Sequence, residues 1–279
     1  MEKKEKETQT NNTSTLVYQV EDKPKFFTSI LLGLQNILTA FSGIIAVPLV
    51  IAGLAGLNVV DTAYLVSASL LASGIASIIQ TKGFGPKKFR VGVGLPTVMG
   101  TDFGFVPPAN TIINTMGGGM AGYFGASILG AVLEFIMSFF VKPLMKIFTP
   151  VVTGTVITLM GMSMMPIAFD WIGGGADNPN YGDPRYIMIA VIVFVVIVLL
   201  NRYAKGIINS AAVMIGIIVG YVISIPFGFV DFSQIGQAEW FQMPEIARFG
   251  IDFNPKYLVP FIAGYLVTVI ETVGVMETL

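Results

Sequence analysis

The sequence predicts an all-α polytopic membrane protein. Of its 279 residues, 54% are hydrophobic and only 12% are charged, whereas an average soluble domain carries about 25% charged residues. Mean hydropathy is +0.76. A soluble core cannot hide that much apolar surface, so lipid must solvate most of the chain. The apolar residues are gathered into stretches about 20 residues long, the length that crosses a bilayer as a helix. This composition excludes a soluble enzyme, a nucleic-acid binder and a disordered scaffold. A net charge of −1 also argues against a polyanionic partner.

The elements follow in order. Residues 1–25 form a polar tail of mixed charge, expected to be disordered and unlike a signal peptide. Eight spans are predicted at 26–51, 62–80, 94–116, 119–141, 148–170, 185–201, 207–229 and 255–279. Residues 230–254, with Trp240, Phe241, Ile246 and Phe249 among charges, read as an interfacial segment.

Charge supports the count. With a cytoplasmic N-terminus, all but Arg185, Arg248 and Lys256 of the 16 basic residues fall inside. The opposite loops carry Asp61, Asp170, Asp177, Asp183, Asp231, Glu239, Glu245 and Asp252. This is the positive-inside pattern, which one miscounted span would scramble. Span eight runs to Leu279 with no closing basic cluster, so truncation of a longer transporter is the expectation here.

Cys and His are absent. Thiolate chemistry, Cys/His metal sites and imidazole shuttles are therefore unavailable, and proton chemistry falls to carboxylates. Four acids remain inside the predicted spans: Asp102, Glu134, Glu271 and Glu277. An intramembrane carboxylate is costly unless paired, protonated or wet, so each is a functional candidate. Asp102 lies in GVGLPTVMGTDFGFVPPAN, where Gly92, Gly94, Pro96, Gly100, Gly104, Pro107 and Pro108 make regular helix improbable. Non-helical backbone at membrane depth needs protein or water around it, and broken spans in transporters place free amides at a substrate site. The same breakers could merely kink a packed helix.

Glu271 lies mid-span in YLVTVIETVGVMETL, as a substrate ligand or as a buried partner of another helix. Glu277 reads as a snorkelling boundary residue. Glu134 continues the small-residue row Gly118, Gly122, Ala126, Gly130, which permits close helix approach; structural pairing and function stand equal there. Gln35 and Asn36 could bond a substrate or a neighbouring helix. The run Met160, Met162, Met164, Met165 reads as gap-filling core. Gly173–Gly175 has no helix or Lys to make a phosphate cradle.

Four stretches resemble the nucleobase–ascorbate transporter family (nucleobase:cation symporter-2; uracil, xanthine and uric acid permeases). They are GLQNILTAFSGIIAVPLVIAG, QTKGFGPKKFRVGVGLPTVMGTDFGFV, TPVVTGTVITLMGMSMMP and IETVG. The resemblance implies a fold of two inverted seven-span repeats, of which the first eight spans are covered. Residues 26–146 and 255–279 would belong to the core domain, and 147–254 to the gate domain. It also implies a short strand at Thr101–Phe105, with Phe103 and Gly104 facing substrate. Glu271 would bond ring N–H groups, and Gln35 would match the span-one glutamine. Asn36 stands where many members have His, Val275 where they have Asp or His, and Asp102 where a small residue is common.

The implied activity is cation symport of nucleobases, xanthine and uric acid types ahead of uracil, with H⁺ or Na⁺ as coupling ion and no cofactor or resident metal. The site residues are Glu271, Phe103, Gly104, Asp102 and Gln35, supported by Asn36, Thr101 and Glu134. Partners are the base, the lipid bilayer of the plasma membrane and, by resemblance, a second copy in a homodimer. The alternatives are a uracil permease, an anion transporter or channel of the related sulfate-transporter architecture, and an inactive fragment. No bond is made or broken, so no enzyme is expected.

Overall fold

The computed structural model describes residues 25–86, 90–95, 97–140, 143, 150–175, 178–230, 232–233, 245 and 247–278. The predicted tail, apart from Lys25, lies outside these residues. So do Lys87, Lys88, Pro96, Lys142, Lys146, Asp177, Asp231 and most of the predicted interfacial segment. The long helices are α1 (Phe26–Leu54), α2 (Val59–Lys82), α4 (Gly119–Ser138), α5 (Pro150–Ile172), α6 (Pro184–Tyr203) and α9 (Leu258–Thr278). Among the described residues α1, α2, α4 and α6 are both long and apolar enough to cross a membrane. At 20 residues or more each spans about 30 Å.

Local signals set the ends. Asn58 caps α2 by accepting from the Asp61 amide at 2.9 Å, and Gly83 closes it at φ +63°, a conformation that other residues resist. Asp183 caps α6 through the Arg185 amide, with Pro184 at the first helical position.

Two predicted spans are not single helices. Span seven divides into α7 (Ile207–Ser210) and α8 (Ala212–Ser224). Span three becomes a 3₁₀ turn at Phe103–Phe105, then α3 (Val106–Asn110), then a π turn at Thr111–Thr115. The expected strand at Thr101–Phe105 is corrected by this turn, and no strand is present among the described residues. Asp102 itself is extended (φ −116°, ψ 130°), but a strand needs a ladder partner, and these residues bond to helices instead.

The broken segment is the centre of the packing. Val106, Ala109 and Ile112 are wholly buried. They pack with Val47, Ile51 and Ala52 of α1 and with Met120, Ala126, Phe261 and Tyr265. The small-residue face of α4 lies against α9: a Cβ on Gly130 would sit 1.9 Å from the Tyr265 ring, and one on Gly125 would sit 1.8 Å from the Asp252 carbonyl oxygen. By contrast, α6 buries none of its residues, as expected of a helix solvated by lipid.

The methionine run is core only in part. Met162 and Met165 are more than half exposed while Met164 packs inward against the core, because a helix turns neighbouring positions to different faces; the side chain of Met160 lies outside the described residues. The described part of 245–254 also folds onto protein. Arg248 pairs with Asp61 at 2.9 Å, and the Asp252 amide donates to the Ala121 carbonyl at 2.9 Å. The last turn of α5 meets α1 at Gly53, against the Trp171 indole, so the α1–α2, α4, α5 and 247–254 ends gather at one end of the bundle.

Candidate functional site

Unwinding a chain at membrane depth strands its amides and carbonyls, and each must find a partner. In 97–104 those partners come from helices on three sides. Ser77 of α2 accepts from the Met99 amide at 2.9 Å, and Ser73 donates to the Met99 carbonyl. Thr101 Oγ1 reaches the carbonyls of Ile44 (3.1 Å) and Gly43 (3.2 Å) in α1. The Ile44 carbonyl needs that donor. Pro48, four residues on and inside α1, has no N–H to offer it.

Asp102 closes the segment. Its Oδ1 accepts from the Gly104 amide at 2.7 Å, and its Oδ2 accepts from Thr268 Oγ1 of α9 at 2.7 Å. The Thr268 hydroxyl has one proton and also faces the Gly264 carbonyl at 3.1 Å; the Asp102 oxygen at 2.7 Å is the nearer acceptor. Asp102 thus binds the broken span to α9 one helical turn from Glu271.

Between them lies a cleft of about 520 Å³ lined by Thr97–Phe103, Thr268, Glu271 and Thr272. Of the sequence-predicted residues it brings together Thr101, Asp102, Phe103 and Glu271. Gly104 is buried behind it, its amide committed to Asp102. Glu134 and Glu271 each lie within electrostatic reach of Asp102, yet Glu134 stands outside the cleft lining. Gln35 is elsewhere, donating to Ser210 of α7 at 3.0 Å, and Asn36 is exposed on α1. The side chain of Glu277 lies outside the described residues.

Sequence reasoning found Thr101 but missed Thr97, Thr268 and Thr272. Thr97 Oγ1 is buried in the cleft wall with no hydrogen-bond partner among the described residues, a donor and acceptor awaiting a ligand. Thr268 and Thr272 flank Glu271 at −3 and +1. Their signal was faint, since threonine in an apolar helix ordinarily bonds its own preceding turn. The cleft therefore offers two carboxyl groups, Glu271 and the already bonded Asp102, with hydroxyls and non-helical backbone beside apolar side chains. That set suits a planar, uncharged heterocycle with both N–H and C=O edges.

Phe103 is also a wall of a second, apolar hollow of about 370 Å³ that it shares with Ser42, Ala46, Val50, Ile167, Trp171 and Ile217. A third hollow of about 500 Å³ lies beyond, at the loop end, between Gly53, Asp170, Trp171, Gly174 and Asn178.

Known proteins match this sequence. A model of the xanthine and uracil permeases, described as "Permease family", matches residues 27–279. A Clostridium perfringens (strain 13 / Type A) protein with the provisional name purine permease is 45% identical over 99% of this chain and 60% of its own length. The uric acid transporter of Escherichia coli (strain K12) is 36% identical over 90% of the chain and 52% of its own length. The xanthine permease of Bacillus subtilis (strain 168) is 34% identical over 88% and 55%. The chain thus spans 52% to 60% of the length of these relatives. It is an integral membrane protein and belongs to the xanthine/uracil permease family, nucleobase:cation symporter-2, whose members are transporters and not enzymes.

Proposed function

We propose that the protein is a secondary active transporter that imports nucleobases, oxidised purines of the xanthine and uric acid type ahead of uracil, by symport with H⁺ or Na⁺. The observation that carries this reading is Glu271 in a cleft of unwound backbone, with Asp102 tying that backbone to Glu271's own helix. A charged Glu accepts two hydrogen bonds from adjacent ring N–H groups, which neutral Gln cannot do. Thr97 and the Phe103 amide serve the opposite edge of the ring, while Asp102 and Thr101 hold that backbone in place. The names of the Escherichia coli and Bacillus subtilis relatives favour oxidised purines.

The division into a core (26–146 and 255–279) and a gate (147–254) is supported by the packing of α4 on α9 and of α6 on α8. In the second pair, Gly216 admits the Ile197 side chain. Alternating access would move one domain against the other. By family resemblance the unit is a homodimer in the plasma membrane.

The test is Glu271→Gln in the complete reading frame. Uptake of radiolabelled xanthine should be abolished or severely reduced with membrane expression intact. Losing a charge-assisted bond at about 1.5–3 kcal/mol implies roughly ten- to hundredfold weaker binding. Wild-type affinity for both xanthine and uracil in that variant refutes the assignment. The charge pattern favours a cytoplasmic N-terminus, so a reporter fused at Lys87 should read cytoplasmic and one at Asp177 external.

A further inference from the structure

The three hollows form a series through shared walls, the second and third of them lying along α1. The Glu271 cleft and the apolar hollow share Phe103; the apolar hollow and the loop-end hollow share Ile167 and Trp171. From Ser42 in the middle hollow to Gly53 in the last, α1 climbs about 16 Å.

The two ends of this series have similar chemistry, and the middle does not. The loop-end hollow presents the Asp170 carboxylate, the Asn178 amide and the Trp171 indole. Both polar groups are held. Asp170 accepts from the Tyr181 hydroxyl at 3.2 Å, and Asn178 donates to the Gly174 carbonyl and the Tyr186 hydroxyl, each at 3.1 Å. The indole rests on α1 where a Cβ would stand 3.0 Å from its Cζ2, at Gly53, and it remains 46% exposed. A flat aromatic beside a fixed carboxylate and amide receives a planar ring by stacking and edge hydrogen bonds. The middle hollow, walled by Ala46, Val50 and Ile167, offers such a ring no compensating bonds. Polar groups do not linger where they stay unpaired.

We infer that a nucleobase first binds in the loop-end hollow, stacked on Trp171, as a vestibule site separate from the Glu271 cleft. This rests on the nucleobase reading above. The apolar hollow between Trp171 and Phe103 is then the partition between the two polar sites. Its chemical class of ligand is that of the transported base itself.

Two measurements on the protein from its complete reading frame test this. In the first, 5-fluorotryptophan is incorporated, and the fluorine resonance lost in Trp171→Phe is assigned to Trp171. Titration with xanthine should shift that resonance saturably in the wild type and equally in Glu271→Gln. A silent resonance overturns the vestibule, and so does a shift that vanishes with Glu271→Gln, because the signal then reports the deeper cleft. In the second, Trp171→Ala should raise the KM for xanthine uptake about three- to tenfold, with Trp171→Phe restoring most of it. Wild-type uptake with KM unchanged in Trp171→Ala removes the vestibule while leaving the transporter reading intact. No uptake of xanthine or uracil by the wild type removes the transporter reading, and the fluorine titration still decides the vestibule.

Discussion

Thr101 donates to the carbonyl that Pro48 leaves without a partner. The Ile44 carbonyl of α1 sits four residues before that proline, and the hydroxyl lies 3.1 Å from it. One imperfection in a helix is thereby used to hold another segment in its unwound form. Thr101→Val should strand the carbonyl and destabilise the protein by about 1–3 kcal/mol. Restoring the missing N–H with Pro48→Ala should recover much of that loss, so the double variant unfolds later on heating than Thr101→Val alone. Thermal unfolding in detergent reads this directly. Strict additivity of the two substitutions refutes the coupling.

Thr268 secures the same segment from the other side. Thr268→Val removes a hydrogen bond to Asp102 and leaves that oxygen without its partner, at a cost of about 1–3 kcal/mol, and loosens the backbone facing Glu271. Base affinity should fall, while Thr268→Ser should keep it. Equal affinity in all three proteins, measured by equilibrium binding of xanthine, would separate Asp102 from the cleft.

Glycines differ sharply in what they tolerate. Gly130→Ala places a methyl 1.9 Å from the Tyr265 ring, whereas Gly33 has nothing within 4 Å. Overpacking costs about 1–3 kcal/mol, so Gly130→Ala should lower the unfolding temperature and the yield of folded protein. Gly33→Ala should leave both unchanged or raise them slightly through helix propensity. A pair of equal melting curves contradicts the close approach of α4 and α9.

Acid should act at the start of α6. Hydrogen bonds from Arg185 hold the Asp183 carboxyl below the usual carboxylate range. A depressed native value means that the stabilisation is fully present above the ordinary Asp value, near pH 4. It is lost as pH falls further, through the native value. Asp183→Asn keeps an oxygen for the cap yet removes this titration. Local amide exchange at Arg185 and Tyr186 should become acid-sensitive only in the wild type.

Much of the architecture was legible because lipid thickness sets helix length and because Gly and Pro act locally. The broken stretch around Asp102 was visible on both grounds. Its internal form was not. Whether Thr101–Phe105 makes a strand depends on what lies beside it, and its side chains pair with Gly43, Ile44 and Thr268 at distances in sequence that no local pattern encodes. Glu271 stood out because a carboxylate is expensive in an apolar span. Thr97 and Thr268 were overlooked because a hydroxyl is cheap there. Gln35 was singled out rightly as a polar group needing a partner, but the partner that holds it in this structure is Ser210.

The glycine face of α4 also bears on how the protein is made. The Tyr265 hydroxyl donates to the Ser127 carbonyl across 138 residues, and Tyr257 fills the space beside Gly118 and Gly122. A ribosome must therefore add well over a hundred residues before the groove on α4 can be filled. Until α9 emerges, α4 waits in the bilayer with its notch occupied by acyl chains or by an insertion factor. Substitutions that enlarge or roughen that notch should show first as degradation of nascent chains in pulse–chase labelling.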